Sequence, residues 1–438
     1  MRALYALLWW IALPLLPLKL WWRGRREPGY RSRIGERFGR YGADAPAPVR
    51  GALWIHAVSL GETRAAAPLI ERLLRERPGT PILLTHMTAT GREAGRTLYG
   101  DRVQQAWLPY DLPFAVRAFL ARFEPQAGLL METEVWPNLV AGCARAGIPL
   151  FLVNARLSAR SLRGYQRAPS LAAPMFAALT GVAAQTSADA QRLARAGARH
   201  VAVTGNVKFD AAVPAAALAF AHTLRARIGA DRPVWIAAST REGEETLLLD
   251  ALAGSALPPG ALTIIVPRHP QRFDAVADLL TARGIAFARR SANLPVEAEA
   301  TVLLGDSLGE LLGYYAASDV AFVGGSLLPL GGQNLLEPIA VGTPTLVGPH
   351  TFNFEDATAS AVAAGAAIRI ADAPALLREV ARLLDDAAER ARLRTAALAF
   401  QGAHRGAADR LWTWLAPQLP GARDAGSRGA ELNRSGDG

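Results

Sequence analysis

From residue 52 onward, short apolar runs alternate with longer amphipathic stretches. ALWIHAV is followed by TRAAAPLIERLLRER, PILLTH by GREAGRTLY, and VQQAWLP by PFAVRAFLARF. A strand-length apolar run leading into a helix-length amphipathic one is the pattern of parallel βα units. The series continues through AGLLM (127–131) and IPLFLVN (148–154) and closes with a weaker strand, VAVTG, near residue 205. A helical link at about 211–228 precedes a second series: PVWIAAS (233–239), LTIIVPR, IAFARR, TVLLGD, DVAFVGG and TPTLVG. The expected fold class is α/β, with two consecutive Rossmann-like domains facing a cleft. In open parallel sheets ligands sit outside the carboxyl ends of the strands.

The two ends of the chain break the pattern. Residues 3–22, ALYALLWWIALPLLPLKLWW, carry one charge, Lys19, over a length close to what a helix needs to cross a bilayer. Arg23, Arg25 and Arg26 follow at once with no small-residue cleavage site, which favours an uncleaved anchor over a signal peptide. The excess of arginine after this segment places the body on the cytoplasmic side and suits anionic headgroups. Residues 419–438, rich in Gly, Arg, Asp and Ser, read as a disordered tail. The expected divisions are an anchor over 1–24, an N-terminal domain over 25–215, a C-terminal domain over 216–418, and that tail.

Composition narrows the chemistry. The 438 residues are 51% apolar, enough for two ordinary cores. The single cysteine, Cys143, excludes a disulfide framework and any cysteine-based metal cluster. A net charge of +10 suits anionic ligands of several kinds. Nucleic acid is not expected, because the charges do not gather into one basic domain with interleaved aromatics. Neither an HxxxH spacing nor a DxD pair stands at a strand end, which suits chemistry without a metal.

Chemistry-bearing residues recur where a strand feeds a helix. SLGETRAA places Ser59, Gly61, Glu62 and Arg64 after the first strand. On spacing, Glu62 reads either as a first-turn acid favoured by the helix dipole or as a general base. His56, on the strand itself, reads as packed. THMTATGREAG supplies hydroxyls and amides that either hold an anion or cap a helix. METEVWPN sets Glu132 and Glu134 beside Trp136, as surface charge or as an acceptor-binding pair. In the second half, Ser239 and Thr240 precede a helix, and Pro267 and Arg268 end a strand where a guanidinium can clamp a phosphate. GDSLGELLGYY carries Gly309, Glu310 and Leu311. In VGGSLLPLGGQNLLEP two glycine-rich turns frame Asn334, Leu335, Leu336 and Glu337, an arrangement suited to a nucleotide-sugar.

Taken in order, YRSRIGERFG, WIHAVSLGETRAA, TATGREAG, METEVWPN, LVNARLS, GNVKFD, STREGEE, PRHPQRF, GDSLGEL and GGSLLPLGGQNLLEP resemble the 3-deoxy-D-manno-octulosonic acid (Kdo) transferases of lipopolysaccharide synthesis. The resemblance spans the anchor to about residue 415. It implies a GT-B glycosyltransferase in the bacterial inner membrane, and inverting, metal-independent transfer from CMP-Kdo to a tetraacylated lipid A precursor. By the family pattern Glu62 is the catalytic base. Pro267, Arg268, Gly309, Glu310, Leu311, Asn334, Leu335, Leu336 and Glu337 hold CMP. Arg33, Arg37, Arg64 and Lys208 are candidates for the Kdo carboxylate or the lipid A phosphates, and Ser59, Gly61, Glu132, Ser239 and Thr240 for further donor or acceptor contacts. The chain departs from the pattern at Arg241 and Gln333, where family members often carry histidine. The competing readings are a GT-B transferase using a UDP-sugar and a non-catalytic binder of anionic lipid.

Overall fold

The computed structural model of the protein describes residues 1–421 apart from Ala43, Asp44, Pro46 and Ala211. The chain forms two compact units, one made of residues up to 211 together with the chain from Arg405 onward, the other of Ala212–His404. The first unit holds a seven-stranded parallel sheet in the order β3-β2-β1-β4-β5-β6-β7. Its strands are β1 Leu53–His56, β2 Ile82–His86, β3 Gln104–Trp107, β4 Ala127–Met131, β5 Leu150–Ala155, β6 Gly181–Ala184 and β7 Val201–Val203. The second sheet comprises β8 Val234–Thr240, β9 Leu262–Pro267, β10 Phe287–Arg289, β11 Val302–Leu304, β12 Val320–Val323, β13 Thr345–Val347 and β14 Ala367–Arg369. Its order is β10-β11-β9-β8-β12-β13-β14. In both sheets the first strand lies between the second strand and a later one, so the strand order reverses there while all strands stay parallel. In register, His56 faces Leu130 across β1 and β4, and Val323 faces Ala238 across β12 and β8.

Strands buried on both faces explain why the apolar runs are continuous rather than alternating. One face of the first sheet packs around Trp54, Phe119 and Phe176, the other around Ile55, Phe151 and Leu411. The apolar runs predict six strands in each half, and the structure adds β6 and β14. β6 reads GVAA, mostly small side chains that give little β signal, and β14 is only the three residues AIR, too short a run to stand out. Gly181 in β6 is required by packing, since a Cβ there would lie 2.8 Å from the Trp414 ring.

Trp414 belongs to a helix, Ala407–Leu415, that corrects the expected division of the chain. The sequence assigns residues up to 418 to the second domain, yet this helix returns to the first unit. Leu411 and Leu415 are fully buried there, each worth about 1.5–3 kcal/mol relative to exposure. The Asp210 carboxylate receives the Gly406 and Ala408 amides at 2.6 and 2.5 Å, tying the start of the helix to the end of the first unit. Leu419, expected to open the tail, is 2% exposed against the same core. The remainder of the expected tail, 422–438, lies outside the described residues.

The N-terminal segment also differs from expectation. It forms two helices, α1 Arg2–Ala12 and α2 Leu15–Arg26, bent by 56° at the break. Pro14 and Pro17 supply the reason, because a proline in a helix interior removes a hydrogen bond and clashes with the preceding turn. Among the described residues no single helix is long and apolar enough to cross a membrane.

Candidate active site

At the carboxyl end of β1 the chain turns at Ser59 into a third helix, α3 Leu60–Ala65. Ser59 caps it, its Oγ accepting from the Glu62 amide. Glu62 reaches back: Oε2 accepts the Val58 amide at 2.8 Å, and Oε1 accepts from the Ser59 hydroxyl at 3.3 Å. This is close to a capping box, with the amide of Val58, one residue before the cap, in place of the cap's own, so the first-turn reading of Glu62 holds as geometry. Its electrostatics carry more. Burial first, and then the charge of Glu132, push the Glu62 carboxyl up to about 8, with Lys208 acting in the opposite direction. A Cβ on Gly61 would meet only Ser59 Oγ, at 3.9 Å, so the fold leaves open space at Gly61 itself.

Glu132 stands at the end of β4, next to β1, and its backbone is left-handed with φ 56°. That conformation costs a non-glycine residue on the order of 1–3 kcal/mol and persists only where the surroundings fix it. They do: the carboxylate is held by Lys208 Nζ at 2.5 Å and Arg156 Nε at 3.0 Å. Burial alone would raise its pKa, but these two cations hold it below the ordinary carboxylate range. Lys208 is delivered by the turn Val207–Asp210, whose first amide donates to Asn154 Oδ1 at 3.1 Å. Asn154 is itself left-handed, φ 51°, where the β5–β6 register shifts. Glu134 receives the Trp136 indole N–H at 3.1 Å, and burial followed by Glu132 raises its pKa. Glu62, Glu132, Glu134 and Lys208 thus form one electrostatic cluster. Arg64 is exposed on α3.

His56 is packed, as the sequence reads it, and two phosphate candidates, Arg37 and Arg33, take other positions. His56 is fully buried and bonds Thr85 Oγ1 at 2.9 Å, a packed histidine. Arg37 is 1% exposed, its guanidinium 3.8 Å over the Trp107 ring and donating to the Met87 carbonyl, so it is not placed to meet a phosphate. Arg33 pairs with Glu36 at 3.7 Å. Sequence reasoning gave no role to Asn154 or Arg156. Both lie in LVNARLS, and only their distance in space to Glu132 and Lys208 reveals what they do.

In the second unit the carboxyl ends of β8, β9, β11 and β12 carry the remaining candidates. Ser239 is left-handed, φ 56°, at the register shift between β8 and β9, which turns the Thr240 hydroxyl onto Glu245 at 2.8 Å. Glu244 is wholly buried and accepts three amides, from Arg241 (2.9 Å), Gly325 (2.6 Å) and Leu327 (3.0 Å). It pins the start of its helix to the glycine turn after β12. Gly324 in that turn admits no side chain, since a Cβ would lie 2.8 Å from the Ser239 carbonyl oxygen. Pro267 is buried at the end of β9, and Arg268 beyond it is exposed with Nε donating to Gln333 Oε1 at 3.2 Å.

Gly309 has φ +82° and nothing within 4 Å of its Cβ position, an open turn suited to a ligand's close approach. Glu310 is engaged by Arg290 at 3.0 Å and Ser307 at 2.5 Å, which orients it. Leu311 packs against the core. Asn334 donates to Glu337 Oε1 at 3.2 Å and accepts the Leu336 amide at 3.3 Å. Leu335 and Leu336 are 1% and 5% exposed, so only their backbones are available to a ligand. Among the described residues no group of three or more His, Cys, Asp or Glu could hold a metal ion.

Residues 32–211 match the family described as 3-Deoxy-D-manno-octulosonic-acid transferase (kdotransferase). A 3-deoxy-D-manno-octulosonic acid transferase of Bordetella pertussis is 49% identical over 429 residues, covering 94% of this chain and 99% of that one. One from Haemophilus influenzae is 39% identical, covering 95% and 99%. In fold alone the chain is similar to a UDP-GlcNAc 2-epimerase from Neisseria meningitidis bound to UDP-GlcNAc, with a TM-score of 0.57 at 15% identity over 83% of this chain and 99% of that one. The ordered motifs and an alignment running nearly end to end at 49% identity agree: the chain belongs to the family of 3-deoxy-D-manno-octulosonic acid transferases.

Proposed function

We propose that this enzyme transfers Kdo from CMP-Kdo to a tetraacylated lipid A precursor in lipopolysaccharide synthesis, with inversion and without a metal. The full-length match to the Bordetella relative carries the assignment of the reaction. The raised carboxyl of Glu62 supports its role as the base. Glu62 accepts the proton of an acceptor sugar hydroxyl while that oxygen bonds to the anomeric carbon of Kdo. The bond from that carbon to the phosphate oxygen breaks, and its electron pair leaves with CMP.

The first unit takes the acceptor and the second the donor. Arg268 and the open amides of the Gly309 turn take up charge on the departing phosphate, while the turn carrying Asn334 and Glu337 holds the nucleoside. Lys208, tied to Glu132, keeps a cation beside the acid that must ionise, and Ser59 and Gly61 leave room for the acceptor. Ser239, Thr240 and Arg64 are further contacts for donor or acceptor. The N-terminal helices attach the enzyme to the inner membrane with its body on the cytoplasmic side, and the arginines after them meet anionic lipid.

The test is transfer from freshly generated CMP-Kdo to tetraacylated precursor by the purified protein, with products read by mass. The account predicts addition of Kdo and release of CMP, and no product from UDP-sugars. A folded protein that leaves intact CMP-Kdo untouched contradicts it.

A further inference from the structure

The helix Ala159–Gln166 follows β5 and carries a row of cations that the transfer chemistry leaves unused. Arg160, Arg163 and the capping residue Arg167 are spaced i, i+3 and i+7, so the helical period brings them onto one face. All three are exposed, and among the described residues none has a hydrogen-bond, ionic or ring partner. The opposite face is anchored. Leu162 is buried there, and the Tyr165 ring meets that of Phe176 edge-on at 5.1 Å. Ser158 caps the helix, accepting the Ser161 amide at 3.1 Å.

Ordinary surface charge mixes both signs, and here it does not. Between Glu134 and Asp189 the chain contains Arg145, Arg156, Arg160, Arg163 and Arg167 and no acid. The two flanking acids are engaged elsewhere, Glu134 by the Trp136 indole at 3.1 Å and Asp189 by Arg192 and the Leu157 amide, each at 2.9 Å. Like charges three and four residues apart weaken a helix. Arg163 and Arg167 stand at the carboxyl end, where the helix dipole favours a cation, but Arg160 stands in the first turn, where the dipole opposes one. Local stability therefore does not account for Arg160.

Position supplies a reason. The helix leaves the sheet through Arg156, which grips Glu132 at 3.0 Å, and burial followed by the charge of Glu134 raises the pKa of Tyr165 on its anchored face. It thus borders the cluster of Glu62, Glu132 and Glu134. Along the helix axis the row of arginines spans about 10 Å. Guanidinium groups bind phosphate through paired hydrogen bonds, and a row of them suits a ligand with more than one such group. We propose that Arg160, Arg163 and Arg167 bind the phosphates of the lipid acceptor and so orient its sugar hydroxyl toward Glu62. The proposal rests on transfer to a lipid A precursor, as set out above, and adds which groups of that acceptor are recognised and by which residues.

The test compares wild type with the full chain carrying Arg160→Gln, Arg163→Gln and Arg167→Gln together, in nonionic detergent without phospholipid. Each is assayed on the tetraacylated precursor and on the same lipid with its phosphates removed. On the phosphorylated lipid, kcat/KM of the triple variant should fall by at least about tenfold, the loss of one charge-assisted contact, with KM for CMP-Kdo as in wild type. Wild type should lose the same factor on the dephosphorylated lipid, where the triple variant loses nothing more. Arg160→Gln alone, which also relieves the first turn, should show the same pattern at smaller size. An unchanged kcat/KM on the phosphorylated lipid, or an equal further loss by the variant on both lipids, overturns the proposal. Weaker binding to phosphatidylglycerol vesicles with unchanged kcat/KM in detergent overturns it too and assigns the arginines to headgroups. A wild type that leaves both lipids untouched contradicts the reaction itself, and the role of the arginines falls with it.

Discussion

Glu62 and Glu244 occupy matching points of the two sheets. Each stands at the start of the helix that follows the first strand, beside the place where strand order reverses, and each faces a turn at the end of the neighbouring strand, β4 or β12. Their surroundings differ. Glu244 receives three amides, two of them from the glycine turn after β12, and is wholly buried. Glu62 receives one amide and one hydroxyl, and the residue across from it is another acid, Glu132. A carboxylate saturated by backbone donors is a structural pin that shapes a glycine turn. A carboxylate with lone pairs to spare beside a like charge is available for proton transfer. One architecture thus uses the same residue type for opposite ends.

The comparison breaks most sharply on Glu62→Gln. Removal of a general base lowers the rate by about 10²- to 10⁴-fold. Transfer by this variant should fall within that range in kcat, with the circular dichroism spectrum unchanged. Glu244→Ala should do the reverse. It orphans two buried amides, those of Gly325 and Leu327, at about 1–3 kcal/mol each, so the stability of the second unit, read from its denaturant unfolding, should fall by at least about 2 kcal/mol. A Glu244→Ala protein of normal stability would remove the pin from the account.

A smaller effect sharpens the electrostatic half. Lys208→Met removes the cation that lowers the pKa of both Glu132 and Glu62. The acid limb of kcat/KM should then move to higher pH than in wild type. A limb that stays in place would mean that Glu62 does not sense Lys208.

Much of this was legible in the chain. SLGETRAA announced an acid at a strand end, and the glycine-rich GGSLLPLGGQNLLEP announced a ligand turn, because short motifs carry local geometry. What pairs with Glu132 was not legible. Lys208 lies 76 residues further on, and is brought over by Asn154 holding its turn, a contact made in space alone. Arg37 read as a candidate for phosphate because an arginine's burial over a tryptophan leaves no local signal. The GVAA strand and the return of the Ala407–Leu415 helix were missed together, since Trp414 packing on Gly181 is what explains both. The apolar content of residues 3–22 and the prolines that bend it, Pro14 and Pro17, were plain, but the packing of Trp9 on Tyr110 and of Trp10 on Phe114 depends on the folded body.

The most direct measurement is the pH dependence of kcat/KM for transfer, in wild type and Glu62→Gln. Burial and Glu132 push the Glu62 carboxyl up to about 8, and a base acts only when ionised. The sign follows: activity is low in acid and rises through about pH 8. Because the folded state holds this proton more tightly than the unfolded chain, wild-type stability falls over the span from its ordinary pKa of 4.5 to about 8. Glu62→Gln should therefore match wild type in stability at pH 4 and exceed it at pH 9. The account predicts an acid limb near 8 in wild type that disappears, with most of the activity, in Glu62→Gln. A limb near 4.5, or the same limb persisting in an active Glu62→Gln enzyme, would contradict it.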